Sequence, residues 1–128
     1  MATLHRIVGV YHAEGSIGGE LRYALGKLIG STHCALCDIS HAGIREKAEF
    51  RACRTRHVVP IETVHLDERD EVVSAFTEGK TPCVVGLTSE GPVMLLDALA
   101  LERFGASVPR FEAGLDAALR DRGFGTRS

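Results

Sequence analysis

The spacing of apolar residues divides the chain into short strands and helices separated by glycine-rich breaks. An apolar run rich in Val and Ile at residues 4–11 predicts a buried strand, which the glycines between residues 15 and 19 end. Apolar residues at helical spacing predict a helix over residues 20–29. The same patterns predict further helices over residues 44–54, 68–77, 98–104 and 108–122, and further strands over residues 58–66, 83–87 and 93–96.

Short polar residues mark where three of the helices begin. Asp67, Asp97 and Ser107 each stand directly before a helical pattern, and their side chains are of the kind that accepts a hydrogen bond from a helix N-terminus. The last two strands are close enough in sequence to form a hairpin.

The order of elements predicts an α/β fold. Without the segment after the first helix, the order is β-α-β-α-β-β-α, which predicts a four-stranded mixed sheet built from a right-handed βαβ unit and an antiparallel hairpin. The segment after the first helix is a Cys/His-containing insert. The length of 128 residues suits one domain, so we expect residues 1–124 to form a single domain and residues 125–128 to form a flexible tail.

Composition excludes several classes of partner. Apolar residues make up 45% of the chain and charged residues 25%, which is typical of a soluble globular protein. The net charge of −2 argues against nucleic acid as a partner, and no apolar run is long enough to span a membrane. With no targeting segment predicted, we expect a cytoplasmic location. In a reducing compartment the four cysteines are expected to be thiols, metal ligands or redox-active groups rather than structural disulfides.

The densest group of reactive side chains lies between residues 33 and 41. Cys34 and Cys37 stand three positions apart, with His33 and His41 on either side. Cysteine thiolates and neutral imidazoles bind zinc and copper, and a close pair of thiols can also cycle through a disulfide.

The first hypothesis is a metal-binding protein that holds zinc or cuprous copper. The spacing Cys34-x2-Cys37-x15-Cys53-x3-His57 resembles a zinc site made of two pairs of ligands. In a βαβ unit the end of the helix and the start of the next strand lie at the same end of the sheet, so the four side chains are expected to meet. His33 and His41 are alternative ligands, and cuprous copper needs only the two thiolates of Cys34 and Cys37.

A thiol-disulfide oxidoreductase is the second hypothesis. Cys34 and Cys37 would form the redox pair, and a helix beginning near His41 would place Cys37 just before its positive end, although Asp38 opposes thiolate formation. The partner is then a thiol-containing protein rather than a metal ion.

A binding or scaffold protein with incidental cysteines is the third hypothesis. Cys53 lies in a polar helix whose thin apolar stripe is formed by Ile44, Ala48 and Ala52, so its thiol has no evident role there. Whether the protein is an enzyme, and its oligomeric state, stay open.

The order of elements, with Thr81-Pro82 directly before the hairpin, resembles the thioredoxin/glutaredoxin-like superfamily. That resemblance implies a thioredoxin-like sheet with a Thr-cis-Pro next to the active site. In the superfamily, the catalytic Cys-x-x-Cys opens the first helix, directly after the first strand, but residues 12–17 contain no cysteine. Cys34 and Cys37 follow the first predicted helix instead. We therefore expect them at the opposite end of the sheet, and dithiol chemistry does not transfer to them by position.

A second candidate site is the glycine-rich loop over residues 15–19. Backbone N–H groups at a helix start can hold an anion, and His12 and Ser16 would add polar contacts. The superfamily resemblance implies that Thr81 and Pro82 approach the same end of the sheet.

Overall fold

The computed structural model describes residues 2–12, 34–42 and 45–125. The helix predicted over residues 20–29, the loop over residues 15–19 with Ser16, and the alternative ligand His33 lie outside the described residues. Within those ranges the chain forms a mixed α/β structure with a four-stranded mixed sheet and five helices, so the predicted fold class is confirmed at that level.

The main sheet contains four strands in the order β4-β1-β5-β6. Strand β1 is parallel to β4 and antiparallel to β5, and β5 pairs with β6 in the predicted antiparallel hairpin. Strands β2 and β3 form a separate antiparallel pair. The strands are β1 Leu4–Val10, β2 His41–Ala42, β3 Arg45–Glu46, β4 Ile61–Val64, β5 Cys83–Thr88 and β6 Gly91–Leu96.

Among the residues that the structure describes, five helices cover the two faces of this sheet. They are α1 Ala35–Ser40, α2 Ala48–Arg56, α3 Glu71–Thr77, α4 Ala98–Arg103 and α5 Val108–Asp121. The N-caps predicted at Asp97 and Ser107 are confirmed, because their side chains accept hydrogen bonds from the first turns of α4 and α5. The prediction for α3 was wrong: Asp70, rather than Asp67, caps it. In the part of the chain that the structure describes, no helix is long and apolar enough to cross a membrane.

Side chains of β1 alternate between two hydrophobic clusters. Ile7 belongs to the larger cluster, which packs against α1, α2, α4 and α5, whereas Val8 and Val10 belong to the smaller cluster with Val73 of α3. Successive residues of a strand point to opposite faces. Because both faces are covered, β1 reads as a continuous apolar run rather than an alternating one.

Helix α2 buries a different face from the one the sequence predicted. Ala48 and Ala52 are exposed, whereas Phe50 and Cys53 are buried. Residues three apart lie on the same side of a helix, and Phe50 packs against Phe111 of α5 with ring centroids 5.6 Å apart. Because the ring of Phe50 is buried, Cys53 on the same side of α2 also faces the core.

Candidate functional site

Cys34 is the N-cap residue of helix α1. Its backbone is extended, and its side chain accepts a hydrogen bond from the backbone N–H of Cys37 at 3.4 Å. A helix leaves its first N–H groups without partners inside the helix, and its dipole is positive at this end. The redox hypothesis placed Cys37 before a helix that begins near His41. The structure instead places Cys34 at the start of a helix that ends at Ser40.

Three donors point at the sulfur of Cys34. The Cys37 thiol donates at an Sγ–Sγ distance of 2.6 Å, and the backbone N–H groups of His12 and Cys37 each donate at 3.4 Å. The hydrogen bond from the Cys37 thiol is the largest influence on the pKa of Cys34. Together with the backbone N–H groups it lowers this pKa from 9.0 to about 7, against the opposing effects of burial and of Asp38. The surroundings of Cys34 therefore favour its thiolate form.

The two thiols of this pair are shielded from solvent. The exposed fraction is 1% for Cys34 and 8% for Cys37, and all four cysteines of the chain are thiols rather than disulfides. Among the described residues, no histidine, carboxylate or further cysteine has a ligand atom within 4.8 Å of both sulfurs. The pair is thus a close dithiol without a third metal ligand from those residues.

The dithiol lies at the carboxyl end of strand β1. His12 follows this strand by two residues; its backbone N–H donates to Cys34, and its Nδ1 is 2.8 Å from Oγ1 of Thr81. The peptide bond between Thr81 and Pro82 is cis, and Pro82 directly precedes β5. The prediction that Cys34 lies at the opposite end of the sheet was therefore wrong, because the helix that Cys34 caps begins where β1 ends.

The four predicted metal ligands do not come together. Cys53 lies in α2 and His57 directly follows it, and this helix leads to the amino end of β4. Since β4 is parallel to β1, its amino end is at the opposite end of the sheet from the carboxyl end of β1. The structure consequently divides the predicted set into the Cys34–Cys37 dithiol and a second cluster around Cys53.

A chain of hydrogen bonds runs beside the dithiol and contains the alternative ligand His41. The hydroxyl of Tyr11 lies 2.9 Å from Oγ of Ser40, which lies 2.7 Å from Nδ1 of His41. Burial raises the pKa of Tyr11 to about 12, although hydrogen bonds to Ser40 and Thr63 act in the opposite direction. The Nδ1 atom of His41 is therefore engaged with Ser40 rather than directed at the two sulfurs.

A cavity of about 250 Å³ adjoins the predicted ligand-binding residues His12 and Thr81. Arg69 lines it, and its guanidinium donates to the carbonyl of Leu66 and to Oγ1 of Thr77. Of the four residues predicted for this second site, His12 and Thr81 are in contact. Pro82 follows Thr81 directly in the sequence.

The second cluster joins the end of helix α2 to helix α5. Nδ1 of His57 lies 2.8 Å from the carbonyl oxygen of Cys53, and Nε2 lies 2.8 Å from Oδ1 of Asp116. A carbonyl oxygen only accepts hydrogen bonds, so Nδ1 donates to it. A single hydrogen bond joins Nε2 to the Asp116 carboxyl group and ties the imidazole to α5.

Glu112 completes this cluster on the α5 side. The guanidinium of Arg56 donates to both of its oxygens, at 3.1 and 2.6 Å. The ligand atoms of Cys53, His57 and Glu112 all lie within 4.8 Å of one another. Burial is the main cause that raises the pKa of Cys53 to about 12, and the charge of Glu112 acts in the same direction. The Cys53 thiol is thus protonated and unreactive in this form of the protein.

Sequence reasoning missed Glu112 and Asp116. Both are buried, and they lie four positions apart on the side of α5 that also carries Phe111 and Leu115. Carboxylates within the apolar face of an amphipathic helix are the signal that could have indicated them, since such groups are buried only with partners. The partners of these two carboxylates are determined by how α2 packs against α5, which the sequence pattern does not show.

No family model matches the chain, and neither a curated protein nor a solved structure matches it. Function is therefore argued from the geometry of the two clusters.

Proposed function

We propose that the protein carries out thiol-disulfide exchange, with Cys34 as the attacking thiolate and Cys37 as the resolving thiol. The observation that carries this proposal is the set of three hydrogen bonds at the sulfur of Cys34, one of them from the Cys37 thiol. A thiolate is the nucleophile in disulfide exchange, and a thiol with a pKa near ambient pH is the best attacking group.

The reaction exchanges bonds, protons and electrons between the dithiol and a disulfide substrate. The Cys34 thiolate attacks one sulfur of the substrate and forms a mixed disulfide, while the other substrate sulfur leaves as a thiolate and takes up a proton. The Cys37 thiol then loses its proton to solvent and attacks Sγ of Cys34. The substrate leaves with both of its sulfurs as thiols, and Cys34 and Cys37 are oxidised by two electrons to a disulfide.

Fold and position support the same proposal. The strand order, with one parallel and two antiparallel pairings, is the arrangement expected from a resemblance to the thioredoxin/glutaredoxin-like superfamily. The dithiol stands at the carboxyl end of β1 and opens a helix, and His12 joins it to Thr81 by hydrogen bonds. This is where the resemblance implies a catalytic Cys-x-x-Cys, with the difference that residues 13–33 intervene between β1 and Cys34.

The experiment that tests this proposal is thiol counting in glutathione redox buffers. The reduced, untagged protein is equilibrated with mixtures of oxidised and reduced glutathione, alkylated, and analysed by mass spectrometry of its peptides. We expect Cys34 and Cys37 to lose their thiols together and reversibly, while Cys53 and Cys83 keep theirs.

Two variants serve as controls for this assay. Cys34→Ser is expected to remove the intramolecular disulfide, and Cys83→Ser, which alters a buried thiol in β5, is expected to leave the titration unchanged. Four alkylated thiols in every oxidising mixture, or a disulfide that involves Cys53, would overturn the proposal.

A further inference from the structure

Helices α2 and α5 bring three different metal-ligand types together in the core. Cys53 lies in the last turn of α2, and His57 directly follows this helix. Glu112 faces them from α5, and all three residues are buried. Their ligand atoms are a sulfur, an imidazole nitrogen and a carboxylate oxygen, each within 4.8 Å of the other two.

We propose that Cys53, His57 and Glu112 form a site for a divalent metal ion of the zinc type, separate from the Cys34–Cys37 dithiol. Zinc accepts thiolate, imidazole and carboxylate ligands together at bond lengths of about 2.0–2.3 Å, which corresponds to about 3.3–3.8 Å between ligand atoms in a tetrahedron. Side-chain movements of about 1 Å would shorten the distances between the three ligand atoms to this range.

Asp116 anchors the imidazole of His57 through its second ring nitrogen. Its Oδ1 lies 2.8 Å from Nε2, and histidines that bind metals commonly donate their second ring N–H to a carboxylate in this geometry. The nitrogen left for the metal is Nδ1, which lies 3.9 Å from Oε2 of Glu112. Nδ1 now donates to the carbonyl of Cys53, so the ring would have to turn away from that carbonyl before a metal could replace the hydrogen on Nδ1.

A divalent ion would bring positive charge to a cluster that contains two buried carboxyl groups, those of Glu112 and Asp116. On binding, the metal would take the place of the hydrogen on the Cys53 sulfur, that proton would pass to solvent, and no electron would be transferred.

The site links two helices of the core. Its ligands join the end of α2 to the first half of α5, and the same helices contact each other through Phe50 and Phe111. Binding to the folded form alone raises stability, so the metal is expected to stabilise the packing of these two helices.

The test uses cobalt and zinc on the reduced full chain. In a Cys34→Ser, Cys37→Ser, Cys83→Ser variant, Cys53 is the only cysteine, and all the proposed ligands remain. We expect this variant to bind one cobalt per chain with a thiolate-to-metal charge-transfer band, and zinc to displace the cobalt. A matched variant with Cys53→Ser in addition should lose that band, with circular dichroism used to check that it stays folded.

A milder substitution keeps the test decisive if removal of Cys53 unfolds the chain. Asp116→Asn leaves all three ligands in place and is expected to weaken zinc binding about 10–100-fold, the usual effect of losing a carboxylate that orients a ligand histidine. Absence of a charge-transfer band in the variant whose only cysteine is Cys53, or unchanged zinc affinity in Asp116→Asn, would overturn the proposal and leave a buried ion-pair network.

Discussion

Replacement of Cys37 by alanine tests the central electrostatic claim about Cys34. The substitution removes the thiol hydrogen bond that contributes most to the lowered pKa of Cys34, but it keeps the two backbone donors. These donors oppose the effect of burial, so we expect the pKa of Cys34 to rise from about 7 towards its ordinary value of 9.0. A shift of two pKa units corresponds to about 2.7 kcal/mol of preference for the thiolate.

The consequence for reactivity follows from two opposing factors. At pH 7 the thiolate fraction of Cys34 would fall from about one half to about 1%, a decrease of about 50-fold. A thiolate of higher pKa is intrinsically more nucleophilic, by about 6–10-fold over two pKa units. The observed rate of alkylation at pH 7 should therefore fall by about 5–8-fold, whereas the rate at high pH should rise.

The assay is the rate of iodoacetamide alkylation of Cys34 as a function of pH, followed by mass spectrometry of its peptide. The midpoint of the wild-type curve is expected near pH 7, the pKa of Cys34. Cys83→Ser is the matched control and should leave the curve in place. A wild-type midpoint at the ordinary thiol value, or the same midpoint in Cys37→Ala, would refute the role assigned to the Cys37 thiol.

Two further predictions concern stability and are measured by urea unfolding. Gly114→Ala should destabilise the protein by about 1–3 kcal/mol, because a Cβ at this position of α5 would collide with the ring of Phe104. A loss of stability no larger than that caused by a substitution at the exposed Ala113 would contradict this packing. Burial raises the pKa of Cys53 to about 12 and that of Cys83 to about 11. Unfolded thiols ionise near 9.0, so the folded state then binds more protons, and the free energy of unfolding should decline as pH rises from about 9 towards 12. Cys83→Val should make this decline shallower, and an unchanged slope would show that the buried Cys83 thiol does not cause it.

Local sequence signals predicted the elements but often misplaced their ends. Asp97 and Ser107 were identified as N-caps because capping depends on residues within one turn of each other. The start of α3 was misplaced because Asp67 and Asp70 are both suitable caps, and the choice between them depends on the turn formed by Leu66–Glu68. Helix α1 was not predicted at all, since a helix of six residues leaves little periodicity to detect.

By itself, the sequence determined the α/β class, the antiparallel hairpin and the presence of the Cys34-x-x-Cys37 pair. These features depend on residues that are near one another in the chain. Only the tertiary structure decided that Cys34 meets the backbone of His12 and that Cys53 and His57 meet Glu112 and Asp116. Those contacts join residues 22 to 59 positions apart. Such pairings depend on how β1 and β4 align and on how α2 packs against α5, and no local spacing encodes either.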